Sequence, residues 1–126
     1  MRIGIKFCTR KPGGAEQGIP WIGSSYADLI GFPAEPRRDA GFQLSKIQSG
    51  LDPEDWKPFD AIGAGTREIR LRDANGIYRV MYVAKFDEAV YVLHCFQKKT
   101  QATSQRDKDI AAARYRAVIT SRRTGS

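Results

Sequence analysis

Arg70, Arg79 and His94 are the side chains of this 126-residue chain whose types and spacing could do chemistry together. A pair of guanidinium groups can hold an anion between them, and an imidazole exchanges a proton near neutral pH. Arg70 and Arg79 lie in the stretch Arg67–Tyr82, and His94 lies twelve residues on, followed by Phe96-Gln97-Lys98-Lys99-Thr100. His94 is the sole histidine. Neighbouring cations disfavour imidazolium, so its pKa is expected below the ordinary value of about 6.5. A neutral imidazole can then accept a proton as a general base does. Phe96 would offer a ring on which an RNA base could stack. A plainer reading gives His94 a structural role, Phe96 a place in the core and the arginines a solvated face, with Glu68 neutralising one of them.

These residues need a sheet to bring them together. Arg67–Arg72, Ile77–Ala84 and Ala89–Phe96 are rich in β-branched and aromatic residues and read as three strands. Asp73-Ala74-Asn75-Gly76 and Lys85–Glu88 read as the turns between them. Alternation puts Ile69, Leu71, Tyr78, Val80, Tyr82, Tyr91, Leu93 and Cys95 on one face, an apolar set suited to packing under helices. Glu68, Arg70, Arg72, Ile77, Arg79, Met81, Val92, His94 and Phe96 share the other. A loop over 73–76 sets Arg70 opposite Arg79, and a loop over 85–88 sets Arg79 opposite His94, giving a row of three across the sheet. Closure of the first turn on Asn75-Gly76 alone would put Arg72 in place of Arg70. Two arginines paired across strands repel, and an anion between them reverses the sign of that interaction.

The remaining elements are short. Ile19–Ile22 reads as an edge strand, because Pro20 cannot donate to a ladder. Ser24 or Ser25 can cap a short helix through Leu29 and Ile30, which ends before Pro33. Pro36 suits the first turn of a second helix with Ala40, Leu44 and Ile47 on one face and Gly50 as its stop. Residues 51–66 read as a long loop anchored by Trp56 and Phe59. Ser104 and Asp107 form a capping box for a last helix through Ile110, Ala113, Ala117 and Val118. The order is β-α-α-β-β-β-α, an α+β fold with helices on one face of an antiparallel sheet. Residues 1–18 are expected to be an extension, 19–120 one domain, and 121–126 a basic tail.

Composition sets the outer limits. At 41% hydrophobic and 28% charged, the chain has the make-up of an ordinary soluble domain. Its net charge of +7 favours a polyanionic partner. That charge is uneven: residues 97–126 carry eight Lys or Arg against Asp107 and Asp109, whereas residues 21–96 carry nine basic side chains against eleven acidic ones. Cys8 and Cys95 have neither CxxC spacing nor companion histidines, so no metal site is expected. The absence of a long apolar run argues against a membrane span or a secretory signal, and the expected setting is the reducing cytoplasm.

In order and spacing, Trp21-Ile-Gly-Ser-Ser25, Arg67-Glu-Ile-Arg-Leu-Arg-Asp73, Tyr78-Arg-Val-Met-Tyr82 and Leu93-His-Cys-Phe-Gln-Lys-Lys-Thr100 are landmarks of a family. The chain resembles the RelE/HigB-like toxins of type II toxin–antitoxin systems, in particular their phage-derived branch, from about Trp21 to Val118. The resemblance implies a twisted antiparallel sheet and metal-independent cleavage of messenger RNA, usually on the ribosome, by 2′-hydroxyl attack, with no cofactor. It also implies a separate antitoxin, usually of helix-turn-helix type. Arg79 inherits the phosphate-binding role, Arg70 that of the basic residue on the preceding strand, and His94 lies where several branches keep a proton-transfer group. Arg72, Phe96, Lys98 and Lys99 are the expected RNA contacts. A tyrosine that better-known members carry after the last strand is absent, which leaves the acid and base open. A module that binds nucleic acid without cutting it would keep the same arginines.

Overall fold

Residues 18–124 are described by a computed structural model, and the expected extension over 1–18 therefore lies, but for Gly18, outside the described residues. Two helices come first, α1 (Ser25–Ile30) and α2 (Ala34–Gln48). Four strands follow, β1 (Trp56–Pro58), β2 (Thr66–Asp73), β3 (Gly76–Val83) and β4 (Tyr91–Lys98), and α3 (Gln105–Arg123) closes the chain. The strands form one antiparallel sheet in the order β1-β2-β3-β4.

Local chemistry explains most boundaries. Pro36 sits in the first turn of α2, where its missing N–H has no partner to lose. Gly50, at φ +87°, takes the left-handed conformation after the helix, and its N–H reaches the carbonyl of Ile47. The side chain of Asp73 accepts from the N–H groups of Asn75 and Gly76 (2.7 and 3.1 Å), which folds the β2–β3 turn. Ser104 caps α3 by accepting from the Asp107 N–H.

Three expectations are corrected. The Ile19–Ile22 edge strand is not a full strand. Gly18 and Trp21 make only isolated parallel bridges to Ala89 and Val92, with Pro20 accepting from the Val92 N–H (3.1 Å). The order is accordingly α-α-β-β-β-β-α, because β1 forms inside the segment read as a loop: Lys57 pairs with Glu68 there. Its three residues, one of them proline, are too few to show an alternating pattern. The expected tail over 121–126 begins inside α3, where Arg122 clasps Glu88 (2.6 and 3.2 Å) and stacks on Phe86.

The helices do not share a face. Leu29, Phe32, Ala40, Leu44 and Ile47 of the α1–α2 region pack with Ile69, Leu71, Tyr78, Val80, Tyr82 and Cys95 on the first face. Ala111 and Val118 of α3 pack on the opposite face with Met81, Val83, Leu93 and Phe96. A register irregularity lies between Met81 and Tyr82. It sends Val92 to the first face and Tyr91 and Leu93 to the second, the reverse of simple alternation. The second face thereby becomes half apolar, covered by α3, and half charged.

Candidate nucleic-acid interface

Arg79 sits at the centre of the charged half. It faces Arg70 across β2, as the turn over 73–76 requires. On its other side it faces Phe96, because the irregularity and the longer β3–β4 connection shift β4 by two residues; His94 faces Met81 instead. The expected row Arg70–Arg79–His94 is thus replaced by Arg70–Arg79–Phe96. Beside it runs a second row, Arg72–Ile77–Lys98.

The two arginines coexist because each has a carboxylate. Arg70 Nε donates to Asp55 Oδ1 at 3.0 Å. Arg79 is 7% exposed and its Nε lies 3.6 Å from Oε1 of Glu68, which is fully buried. Lys57 Nζ approaches the same Oε1 to 3.8 Å. Neither Glu68 oxygen accepts a hydrogen bond, and the Arg79 Nε–H donates none, so this is a contact of charges held just short of bonding. Arg79 Nη1 donates to the Tyr78 carbonyl at 3.1 Å, which fixes the plane of the fork. Burial lowers the Arg79 guanidinium pKa, opposed by Glu68 and reinforced by Arg70. Lys98 is shifted below the ordinary lysine range by desolvation first and by Arg79 next. Arg79 and Lys98 line an open groove with Ile77, Lys99, Thr100 and Gln101.

His94 and Phe96 belong to a different environment. His94 Nε2 lies 2.8 Å from Asp107 Oδ1, and a carboxylate can only accept, so Nε2 carries the proton. Ser104 Oγ donates to the other Asp107 oxygen at 2.7 Å. The second ring nitrogen, Nδ1, is buried without a partner. Protonating it would bury an unsatisfied N–H, so the neutral tautomer is favoured. The pKa is lowered, as the sequence suggests, but burial is the main cause and Asp107 opposes it. Phe96 is 8% exposed and stacks on the His94 ring at 4.8 Å. It is a core aromatic under α3 and does not present a free ring to a base.

Of the expected site residues, the fold gathers Arg70, Arg72, Lys98 and Lys99 around the nearly buried Arg79 and withdraws His94 and Phe96 beneath α3. Sequence reasoning missed Lys57, whose strand was read as loop, and treated Glu68 as a generic counter-charge. Cys95 is buried on the opposite face with its thiol pushed far above the ordinary range, and takes no part.

The profile of one family, phage-derived protein Gp49-like (DUF891), matches residues 27–116. The chain belongs to the Gp49-like family. The match runs from α1 into α3 and covers every strand, so all the site residues above lie within it. It leaves out Trp21-Ile-Gly-Ser-Ser25, one of the landmarks that carry the RelE/HigB resemblance. The Gp49-like family is itself of that toxin-like kind. No curated protein matches this Gp49-like chain. Among its described residues no group of three or more His, Cys, Asp or Glu is placed to hold a metal ion, and no helix is long and apolar enough to cross a membrane.

Proposed function

We propose that this protein is the toxin of a toxin–antitoxin pair and cleaves messenger RNA as a metal-independent endoribonuclease acting on or near the ribosome in the cytoplasm. Its antitoxin is a separate protein, most simply of helix-turn-helix type. The observation that carries this reading is the groove in which Arg79, held by the buried Glu68, stands beside Lys98 and Lys99 on a solvent-facing half-sheet. Membership of a phage-derived, toxin-like family supports it.

In the proposed reaction the RNA 2′-oxygen attacks the adjacent phosphorus and the bond from phosphorus to the 5′-oxygen breaks. The products are a 2′,3′-cyclic phosphate and a 5′-hydroxyl. The 2′-hydroxyl loses its proton to a base, and the leaving 5′-oxygen gains one from an acid. Arg79 stabilises the charge that develops on the phosphorane, the kind of preorganised contact whose loss costs about 10²–10³ in rate. Lys98 is the described cation best suited to protonate the 5′-oxygen. Desolvation first and Arg79 next lower its pKa, which weakens its hold on a proton. His94 stands apart from the groove in this geometry, with Nε2 held by Asp107 and Nδ1 buried.

That burial is also the one observation favouring a second reading, a protein that binds RNA without cutting it. Incubating purified protein with translating ribosomes separates the two. New RNA ends bearing cyclic phosphates support the nuclease; bound but intact RNA supports the binding module.

A further inference from the structure

We propose that Lys57, on the edge strand β1, is a further phosphate-binding residue of this surface, and that Glu68 is the positioning residue that organises Lys57 and Arg79 into one site. The inference rests on the RNA-binding reading above and extends it to a strand that neither the family's landmarks nor the groove includes.

Glu68 carries the argument. Its side chain is fully buried, yet neither oxygen receives a hydrogen bond. Burying a carboxylate is costly, and the usual remedy is a partner that bonds it directly. Here two cations, Arg79 and Lys57, approach one oxygen from two strands and stop at 3.6 and 3.8 Å. Their nitrogens are therefore no farther apart than the sum of those two distances. They flank the carboxylate from β1 and β3, its neighbours on either side of β2. Arg79 is almost buried, while Lys57 remains 47% exposed at its side chain.

A single internal carboxylate thus serves two cations and leaves the cluster with net positive charge, which Lys98 increases. The loose contacts leave donors of both cations uncommitted, and Lys57 keeps three ammonium hydrogens of which at most one points to Glu68. An RNA phosphate at Arg79 would therefore find a second donor on the β1 side. Lys98 shows the same clustering: its shifted pKa responds to Arg79, Glu68, Lys57 and Arg70 together. The strand that supplies Lys57 is held in register by Trp56 opposite Ile69 and by the Arg70 to Asp55 bond, so the ammonium is carried on ordered backbone.

The test is a binding titration with a mixed-sequence single-stranded 2′-O-methyl oligonucleotide, which lacks the attacking hydroxyl and stays intact. Wild type, Lys57→Gln and Lys46→Gln are compared across salt concentrations, Lys46 being a lysine of α2 paired with Glu54. Lys57→Gln should weaken binding several-fold at low salt and flatten the salt dependence by roughly the 0.7 expected for one lost single-strand phosphate contact. Lys46→Gln should do neither. If wild type binds and Lys57→Gln matches it in affinity and slope, the proposal is wrong while the RNA reading stands. If wild type does not bind, the RNA reading and the proposal both fall. For Glu68, the Lys57→Gln penalty is measured again in a Glu68→Gln background confirmed as folded by circular dichroism. The penalty should shrink there, because an amide no longer holds the ammonium over the site. An equal penalty in both backgrounds removes Glu68 from the proposal, and a Glu68→Gln protein that does not fold leaves Lys57→Gln as the deciding variant.

Discussion

Glu68 is sealed from water, so each cation beside it works both as a possible ligand for RNA and as the counter-ion of a buried charge. Arg79→Ala should consequently do two things. It should reduce cleavage by about 10²–10³, and it should destabilise the fold by on the order of 3 kcal/mol, because the carboxylate then keeps only Lys57 at 3.8 Å. Combining Arg79→Gln with Glu68→Gln removes both charges and should recover most of the stability while cleavage stays lost. Urea unfolding and RNA cleavage on the same preparations check this; full cleavage by the folded double variant would place the chemistry elsewhere. His94 makes a different prediction. Its folded pKa lies below the unfolded value of 6.5, so the unfolded chain binds more protons as the pH falls through that value. The stability it contributes is complete above pH 6.5 and declines as the pH drops toward the lower folded pKa. Thermal unfolding of wild type should show this loss as the pH falls below about 7, and His94→Gln should flatten it. An unchanged profile would mean that His94 titrates normally, and that its burial does not hold it neutral.

The elements around the site are positioned by a few polar anchors as much as by the core. Ser104 both caps α3 and donates to Asp107, which in turn accepts from His94. One hydroxyl thus ties the start of α3 to β4, and it lies a few residues beyond the Lys99–Gln101 wall of the groove. Ser104→Ala should cost about 1 kcal/mol, the worth of an N-cap, and lower the melting temperature by a few degrees. A calorimetric trace identical to wild type would show that the cap does not hold the helix. Midway along α3, Arg114 donates to the carbonyl of Leu93 (3.0 Å) and to Ser24 (3.1 Å), joining the irregular part of β4 to the entry of α1. Ile19 is 2% exposed in the core of the first face, although its segment makes only isolated bridges. Its removal would open a cavity that no strand hydrogen bond compensates, which is why any truncation that reaches it should be destabilising.

On the scale of the whole molecule, the two faces of the sheet divide the work. The first face carries an apolar core covered by α1 and α2; the second is half core, under α3, and half cationic surface. Expression without a partner should arrest growth and leave RNA with new ends, and substitutions should separate by face. Val80→Ala, on the first face, should lower stability by about 0.5–1.5 kcal/mol or somewhat more, and keep cleavage in the folded fraction. Lys98→Gln, in the groove, should keep the fold and lose cleavage. Normal growth with confirmed soluble protein and intact transcripts would overturn the nuclease reading.

Local rules carry a good part of this protein. The Asx turn at Asp73, the cap at Ser104, the stop at Gly50 and the alternation of β2 and β3 are legible in the sequence, because each depends on neighbours within a few residues. They narrow the partner of Arg79 to Arg70 or Arg72, and the structure pairs it with Arg70. What only the tertiary structure decided depends on distant pairing. Ala89 and Val90 engage Gly18 and pairing with β3 starts at Tyr91, which together with the irregularity brings Phe96 to Arg79 in place of His94. The irregularity at Met81/Tyr82 reverses the faces of Val92 and Leu93. β1 owes its existence to the free edge of β2, since three residues carry no periodic signal of their own. Whether His94 faces solvent or Asp107 was settled by those long-range contacts, which no local spacing encodes.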